Sequence, residues 1–190
     1  MATVNFIRNT KQSGSAMGAT IRYVERDDKT MNGRYVSGQN CTPQLAEQEF
    51  LATRAVNRKD GGRWFYHYTQ SFSPQENVTP ELAHEIAKEF AAQAWPESEV
   101  VIATHVDAAH IHSHFVVNAV CFETGKMLRQ HPRHAPKASL NLGQAVAWRM
   151  GCPCCRDSRT RLTESPRGST VRRSRARAGS SSSWRRWTTA

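Results

Sequence analysis

Four of the eight histidines in this 190-residue chain fall within ten positions, in the stretch HVDAAHIHSH that ends at His114. The alternation of His110, His112 and His114 is typical of a β-strand, where every second side chain projects to one face at intervals of about 7 Å. His105 precedes them, separated by a short polar segment around Asp107. Neutral imidazoles grouped in this way indicate a site for a divalent metal or a phosphate.

The metal hypothesis uses three of these histidines. If the chain turns back after His105, this residue lies beside His112 and His114, and the three rings leave open positions for oxygen ligands from a substrate. Asp107 is then a candidate to orient one imidazole. Three alternating polar rings on an otherwise apolar strand would be unfavourable without such a task, so the sequence favours a ligand site over isolated histidines.

Periodicity and capping signals predict the elements that position these residues. Alternating or β-favouring runs predict strands at residues 2–7, 64–72, 100–104 and 111–121, and a Gly/Ser loop opens a helical stretch at residues 16–25. Thr42-Pro43 and Thr79-Pro80 each supply a capping hydroxyl followed by proline, which predicts helices over 43–56 and from 80 to about 95. The order of elements predicts an α/β (α+β) fold, a two-layer sandwich with a mainly antiparallel sheet covered by helices.

Charge divides the chain into two parts. Residues 1–130 contain 13 lysines and arginines against 14 acidic residues, whereas residues 131–190 contain 13 against two, and twelve of those thirteen are arginine. We therefore predict one folded domain over 1–130. The Arg- and Ser-rich tail at 131–190 is predicted to be either disordered or the out-of-frame translation of a GC-rich gene.

Composition also bears on the compartment. No stretch approaches the roughly 18 apolar residues of a membrane span, and the first residues lack the apolar block of a secretory signal. The five cysteines are an odd number, and the cluster at 152–155 has no second pair at zinc-finger spacing. We expect a cytoplasmic protein with reduced cysteines and no membrane span.

Four stretches resemble a known family. Residues 105–118, HVDAAHIHSHFVVN, are similar to the third motif of relaxases, the mobilisation nucleases of plasmids and integrative elements in the HUH endonuclease superfamily. Ser113 stands where that motif carries a hydrophobe. Residues 19–30, ATIRYVERDDKT, resemble the first motif, and residues 66–74 and 79–83 resemble the Gram-positive mobilisation branch. The resemblance covers about residues 1–130.

The resemblance implies an activity. A relaxase nicks one strand of DNA at a transfer origin during conjugative mobilisation, without ATP, through a tyrosine that becomes a 5′-phosphotyrosine and leaves a free 3′-hydroxyl. In this chain the nucleophile would be Tyr23, with Tyr35 as the substitute. The implied partners are single-stranded DNA at the transfer origin, accessory mobilisation proteins and a secretion coupling protein.

The resemblance also implies a ligand set. His105, His112 and His114 would hold a divalent metal, Mg²⁺ or Mn²⁺, and Asp107 would take part in proton transfer. The motif does not require His110, which remains an accessory candidate.

The candidates for binding the DNA strand are Arg22, Arg63 and Trp64. Guanidinium groups bind phosphates, and bases stack on aromatic rings. The aromatic run at residues 64–68 is equally suited to the core of the domain, so both interpretations stay open.

Two other functions fit parts of the sequence. The alternation of His110, His112 and His114 also resembles the histidine-triad nucleotide hydrolases, whose central histidine attacks a phosphate without a metal, although this leaves His105 and Tyr23 without roles. A non-enzymatic protein that binds nucleic acid through its basic tail is the other alternative, and its binding would weaken strongly with salt. An out-of-frame tail would also allow an inactive remnant of an enzyme.

Overall fold

The computed structural model describes residues 2–74, 76–107, 110–129 and Val146. The tail predicted at 131–190 and the cysteine cluster at 152–155 lie outside the described residues, Val146 excepted. Its side chain is buried beside Ala2, Phe72 and Val78. The domain boundary near residue 130 stays a prediction.

Five strands and four α-helices are present in the described part of the chain. In chain order they are β1 (Thr3–Ile7), α1 (Gly14–Val24), α2 (Asp27–Thr30), β2 (Val36–Gln39), α3 (Ala46–Val56), β3 (Phe65–Ser71), α4 (Pro80–Ala94), β4 (Ser98–His105) and β5 (His112–Cys121). The strands form one sheet in the order β1-β3-β5-β4-β2, and every neighbouring pair is antiparallel. The predicted α+β sandwich with an antiparallel sheet is confirmed.

Helices pack on both faces of this sheet, which makes three layers instead of the predicted two, because alternate residues of the central strands are apolar on both sides. On one face, Phe90 of α4 packs with Ile102 and Phe115. On the other face, α1 and α3 pack with Val101 and Val116. The central strands β4 and β5 are therefore buried on both sides, which fixes their register and the positions of the residues at their ends.

The capping signals locate two of the helix starts. The Ser13 hydroxyl accepts a hydrogen bond from the backbone N–H of Ala16 at the start of α1, and Thr79 does the same for Leu82 at the start of α4. The helix predicted from residue 43 begins later, because Pro43–Leu45 form a 3₁₀ turn and α3 begins at Ala46.

Strand β2 was absent from the predicted elements. Its residues, VSGQ, show no clear alternation, but they pair with β4 at the edge of the sheet. One side chain of β2 reinforces this pairing: Gln39 Nε2 donates a hydrogen bond to the Trp95 carbonyl at 2.7 Å. Among the described residues, no helix has both the length and the apolar character needed to cross a membrane.

Candidate active site and metal centre

The histidine cluster lies where β4 ends and β5 begins. His105 is the last residue of β4 and pairs directly with His112, the first residue of β5, while His114 pairs with Ala103. Residues opposite each other in antiparallel strands share a face, so the three rings meet on the face covered by α1 and α3. One nitrogen from each ring lies within 4.8 Å of the other two. The structure thus brings the three predicted metal ligands together.

Backbone carbonyls orient two of these rings. The carbonyl of Val24, at the end of α1, accepts a hydrogen bond from His105 Nε2 at 2.9 Å, and the carbonyl of His110 accepts one from His112 Nδ1 at 3.2 Å. Because a carbonyl can only accept, each of those nitrogens carries the proton. The lone pairs therefore lie on Nδ1 of His105 and on Nε2 of His112, where they are available to a metal.

The third ring is held by a histidine that the sequence did not single out. His67, on β3, places its Nε2 2.9 Å from Nδ1 of His114. His67 is only 5% exposed, and its own Nδ1 is buried without a hydrogen-bond partner among the described residues. If His114 Nδ1 donates to His67, the Nε2 of His114 is left with a lone pair for the metal.

Burial favours the neutral imidazole in His67, His105 and His114. Desolvation, together with the nearby His105, lowers the pKa of His114 to about 2. Desolvation also lowers the pKa of His67 to about 4. It is the main cause of the lowered pKa of His105. A neutral imidazole is the form that binds a metal, so the donor set fits a divalent cation with open coordination positions for substrate oxygens.

An exposed tyrosine lies beside the cluster. The ring of Tyr23, on the last turn of α1, has its centroid 6.2 Å from that of His105 and 6.4 Å from that of His114. Its side chain is 46% exposed, whereas Tyr35, the substitute nucleophile, is 4% exposed and donates a 2.5 Å hydrogen bond to Glu81. Of these two tyrosines, only Tyr23 is accessible to a substrate at the cluster.

Lys29 is a second residue of the site that the predicted set lacked. Its Nζ lies 3.3 Å from Tyr23 Oη, and its ammonium forms an ion pair with Asp107 at 3.6 Å. The hydrogen bond with Tyr23 raises the pKa of Lys29 above its usual range, so this side chain is a cation at neutral pH. The only signal in the sequence was its place in the stretch that resembles the first relaxase motif.

Asp107 and His110 lie at the border of the site. The ion pair with Lys29 occupies the Asp107 carboxylate, while the imidazoles are oriented by Val24, His110 and His67. Asp107 therefore lies on the tyrosine side of the site, paired with Lys29, and orients none of the three imidazoles. The His110 ring is exposed and stands 5.4 Å from that of His112, outside the three-histidine cluster.

The candidates for DNA binding are not gathered in one place. Arg22 adjoins Tyr23 on α1 and is exposed, where it forms an ion pair with Glu47. Arg63 lies over the ring of Tyr66, 5.0 Å from its centroid, on the α4 face of the sheet. Of the three candidates, only Arg22 lies on α1, the helix that carries Tyr23.

Trp64 and the aromatic run that follows it contribute to the core. The guanidinium of Arg54 stacks over the Trp64 ring at 4.1 Å, and Trp64 packs against the cluster that includes Phe50. Phe65, Tyr66 and Tyr68 are at most 4% exposed. Of the two interpretations left open for this run, the structure places its rings in the core.

An antiparallel sheet that presents paired histidines at the junction of two central strands, with an exposed tyrosine on the adjoining helix, is the arrangement expected of a HUH-type relaxase domain. Residues 23–144 match the family model described as relaxase, MobA/VirD2-like, nuclease domain. The chain belongs to this relaxase family.

Curated relatives agree with the family. Protein rlx of Staphylococcus aureus is 35% identical over 133 residues, which cover 70% of this chain and 39% of the relative. The group II intron-interrupted relaxase LtrB of Lactococcus lactis subsp. cremoris is 35% identical over 130 residues, covering 55% of this chain and 23% of the relative. The matched region is therefore less than half of either relative.

Proposed function

We propose that this chain carries the nuclease domain of a metal-dependent DNA relaxase, which nicks one strand at a transfer origin through Tyr23. The observation that supports this most directly is the position of Tyr23: an accessible phenol ring beside the rings of His105 and His114. A substrate phosphate located between them could contact the nucleophile and the metal-binding residues together, the proximity that such a transfer needs.

The proposed reaction is a transesterification. Tyr23 Oη forms a bond to the scissile phosphorus, and the bond from phosphorus to the 3′-oxygen of the preceding nucleotide breaks. The phenol loses its proton to solvent, and the departing oxygen takes up a proton to become a 3′-hydroxyl. The strand is left as a 5′-phosphotyrosine, which retains the phosphodiester energy for rejoining, so no ATP is needed.

The residues of the site have different proposed roles. A divalent metal, Mg²⁺ or Mn²⁺, held by His105, His112 and His114 would draw charge from the non-bridging phosphate oxygens. Lys29 donates a hydrogen bond to Tyr23 Oη and stabilises the negative charge that develops there during attack. Asp107 holds the ammonium of Lys29 in place.

The proposed substrate is single-stranded DNA at a transfer origin. Arg22 is our candidate for a phosphate contact because it is exposed and adjoins Tyr23. Arg63 lies on the other face of the sheet and Trp64 packs under Arg54, so neither is proposed to contact the strand. Accessory mobilisation proteins and a secretion coupling protein are the other proposed partners, as the relaxase family implies.

The test is capture of the covalent intermediate. The purified chain is incubated with a random single-stranded DNA library and Mn²⁺, denatured, and searched for DNA that remains attached through a tyrosine. We expect an adduct on Tyr23 whose attached strands share one 5′ sequence, none with Tyr23→Phe, and none after chelation with EDTA. Tyr35→Phe is the matched control and should retain the adduct.

Two outcomes would reject the proposal. An adduct that persists in Tyr23→Phe would move the nucleophile to another residue. Hydrolysis of a nucleotide substrate that survives EDTA, with no DNA adduct, would instead support the histidine-triad hydrolase.

A further inference from the structure

A cavity of about 380 Å³ opens beside the proposed nucleophile, between β1, α1 and the centre of the sheet. Its walls include Ile7, Asn9, Ala19 and Thr20, and it reaches the rings of Tyr23 and His114. The volume lies within the range of small-molecule pockets, roughly 300–1,000 Å³. Because three of its lining residues, Tyr23, His67 and His114, belong to the site, a group bound here lies within about one nucleotide of a phosphate at Tyr23.

The lining of this cavity suits a flat heterocycle. Ile7 and Ala19 offer apolar surface, while Tyr23 and His114 offer aromatic rings on which a base can stack. The described lining residues include no lysine, arginine, aspartate or glutamate. The cavity itself thus favours the uncharged part of a nucleotide.

Two nitrogens at this cavity lack hydrogen-bond acceptors, one on Asn9 and, when His67 Nε2 accepts from His114, the other on His67. The Nδ2 of Asn9 is buried with no hydrogen-bond partner among the described residues, and the same holds for the Nδ1 of His67, which also lines the cavity. An unmet buried donor costs roughly 1–3 kcal/mol. A ligand with carbonyl oxygens or ring nitrogens would supply the missing acceptors, and nucleobases carry both.

We propose that this cavity binds one base of the DNA strand, on a nucleotide directly next to the cleaved phosphate. This rests on the proposed function for the identity of the strand. The bound base fixes the register of the strand, so that one particular phosphate lies at Tyr23. Asn9 and Ala19 are then residues that determine where the protein nicks.

The experiment measures binding without nicking. A fluorescent single-stranded oligonucleotide is selected for binding from a random library in EDTA, and each of its positions is then replaced in turn by an abasic site. We expect one position at which the loss of the base weakens binding about tenfold, the effect of one stacked base. If the selection enriches no sequence, the cavity reads no base and the proposal is wrong.

The variant Ala19→Leu tests whether the base at the sensitive position of the oligonucleotide binds in the cavity. Ala19 is exposed on α1, so leucine would fill the cavity without entering the core. The variant should bind the intact oligonucleotide about tenfold more weakly and no longer respond to the abasic site at the sensitive position. Ala92→Leu, at an exposed position of α4 on the opposite face of the sheet, is the matched control and should behave as the unmodified protein.

A second variant tests the hydrogen bond. Asn9→Ala removes one of the two donors and should weaken binding only when the base at the sensitive position is present. Full sensitivity to the abasic site in both Ala19→Leu and Asn9→Ala would overturn the proposal. Failure of the proposed nicking reaction would appear separately, as absence of the Tyr23 adduct with Mn²⁺.

Discussion

The Nζ of Lys29 lies 3.3 Å from Tyr23 Oη and 4.7 Å from the centroid of the same ring. The lysine is only 17% exposed, and its carbonyl accepts the backbone N–H of Val106, which ties α2 to the loop after β4. A cation is thereby fixed at the oxygen that would attack the phosphate. This contact brings a residue of α2 to the proposed nucleophile, although the sequence of α2 contains no separate signal of a catalytic role.

Removing the Lys29 cation should slow the attack. We predict that Lys29→Met lowers the initial rate of covalent adduct formation about 100-fold, the loss expected for one donor to developing negative charge, while Lys29→Arg retains part of the rate. Single-turnover assays with Mn²⁺ and the captured DNA sequence provide the measurement. Lys88→Met is the control, since Lys88 pairs with Glu85 on α4. Equal rates in Lys29→Met and Lys88→Met would contradict this role.

Metal binding should depend on His112 and not on its neighbour His110. We predict that His112→Ala weakens Mn²⁺ binding more than tenfold, because one of three ligands is lost, whereas His110→Ala leaves the affinity within about twofold. Isothermal titration with Mn²⁺ measures both. Both residues lie near the surface at the start of β5, so neither change should unfold the domain. Equal losses in the two variants would show that the three-histidine set is wrong.

His67 should strengthen metal binding through its hydrogen bond with His114. We predict that His67→Leu weakens Mn²⁺ binding by about 10–100-fold, the usual effect of losing the partner of a ligating histidine. His67→Gln keeps a side-chain acceptor for the Nδ1 of His114 and should retain most of the affinity. Circular dichroism verifies that both variants fold. A His67→Leu variant with unchanged affinity would mean that His67 only fills space.

The parts of the fold that could be predicted are those with strong local signals. Alternating or β-favouring runs located β1, β3, β4 and β5, a Gly/Ser loop located the start of α1, and a capping threonine followed by proline located α4. Strand β2 has neither signal, since its four residues are held by pairing with β4 and by the contact of Gln39 with the Trp95 carbonyl. Such an edge strand depends on tertiary contacts that the local sequence does not encode.

The same division applies to the site. His105, His112 and His114 could be predicted because one antiparallel turn brings them together. His67 could not, since it lies 47 positions before His114 and meets it only because β3 pairs with β5. The assignment of Trp64 stayed open for a related reason: an aromatic strand residue has the same sequence pattern whether it stacks on a base or, as here, packs under Arg54.

A buried polar chain on the other face of the sheet makes stability depend on pH. The ring of His84, on α4, contacts Thr104 at 2.9 Å and Ser37 at 2.8 Å, and Thr104 in turn contacts Ser113 at 2.8 Å. His84 is 6% exposed, and desolvation, aided by Lys88, lowers its pKa to about 4. The folded domain thus holds this imidazole neutral.

The unfolded chain should therefore take up a proton that the folded domain does not. As the pH falls from about 6.5, the ordinary pKa of histidine, to about 4, His84 should lower the free energy of unfolding by about 1.4 kcal/mol per pH unit. The loss should be absent above pH 6.5 and level off below 4. His84→Gln removes the titrating group. As the pH falls, the free energy of unfolding of this variant should therefore decrease less steeply, by the slope that uptake of one proton contributes. Urea unfolding in EDTA at steps from pH 4 to 8 measures this difference, because His67 and His114 titrate equally in both proteins. Parallel curves for the two proteins would show that His84 is not kept neutral by its burial.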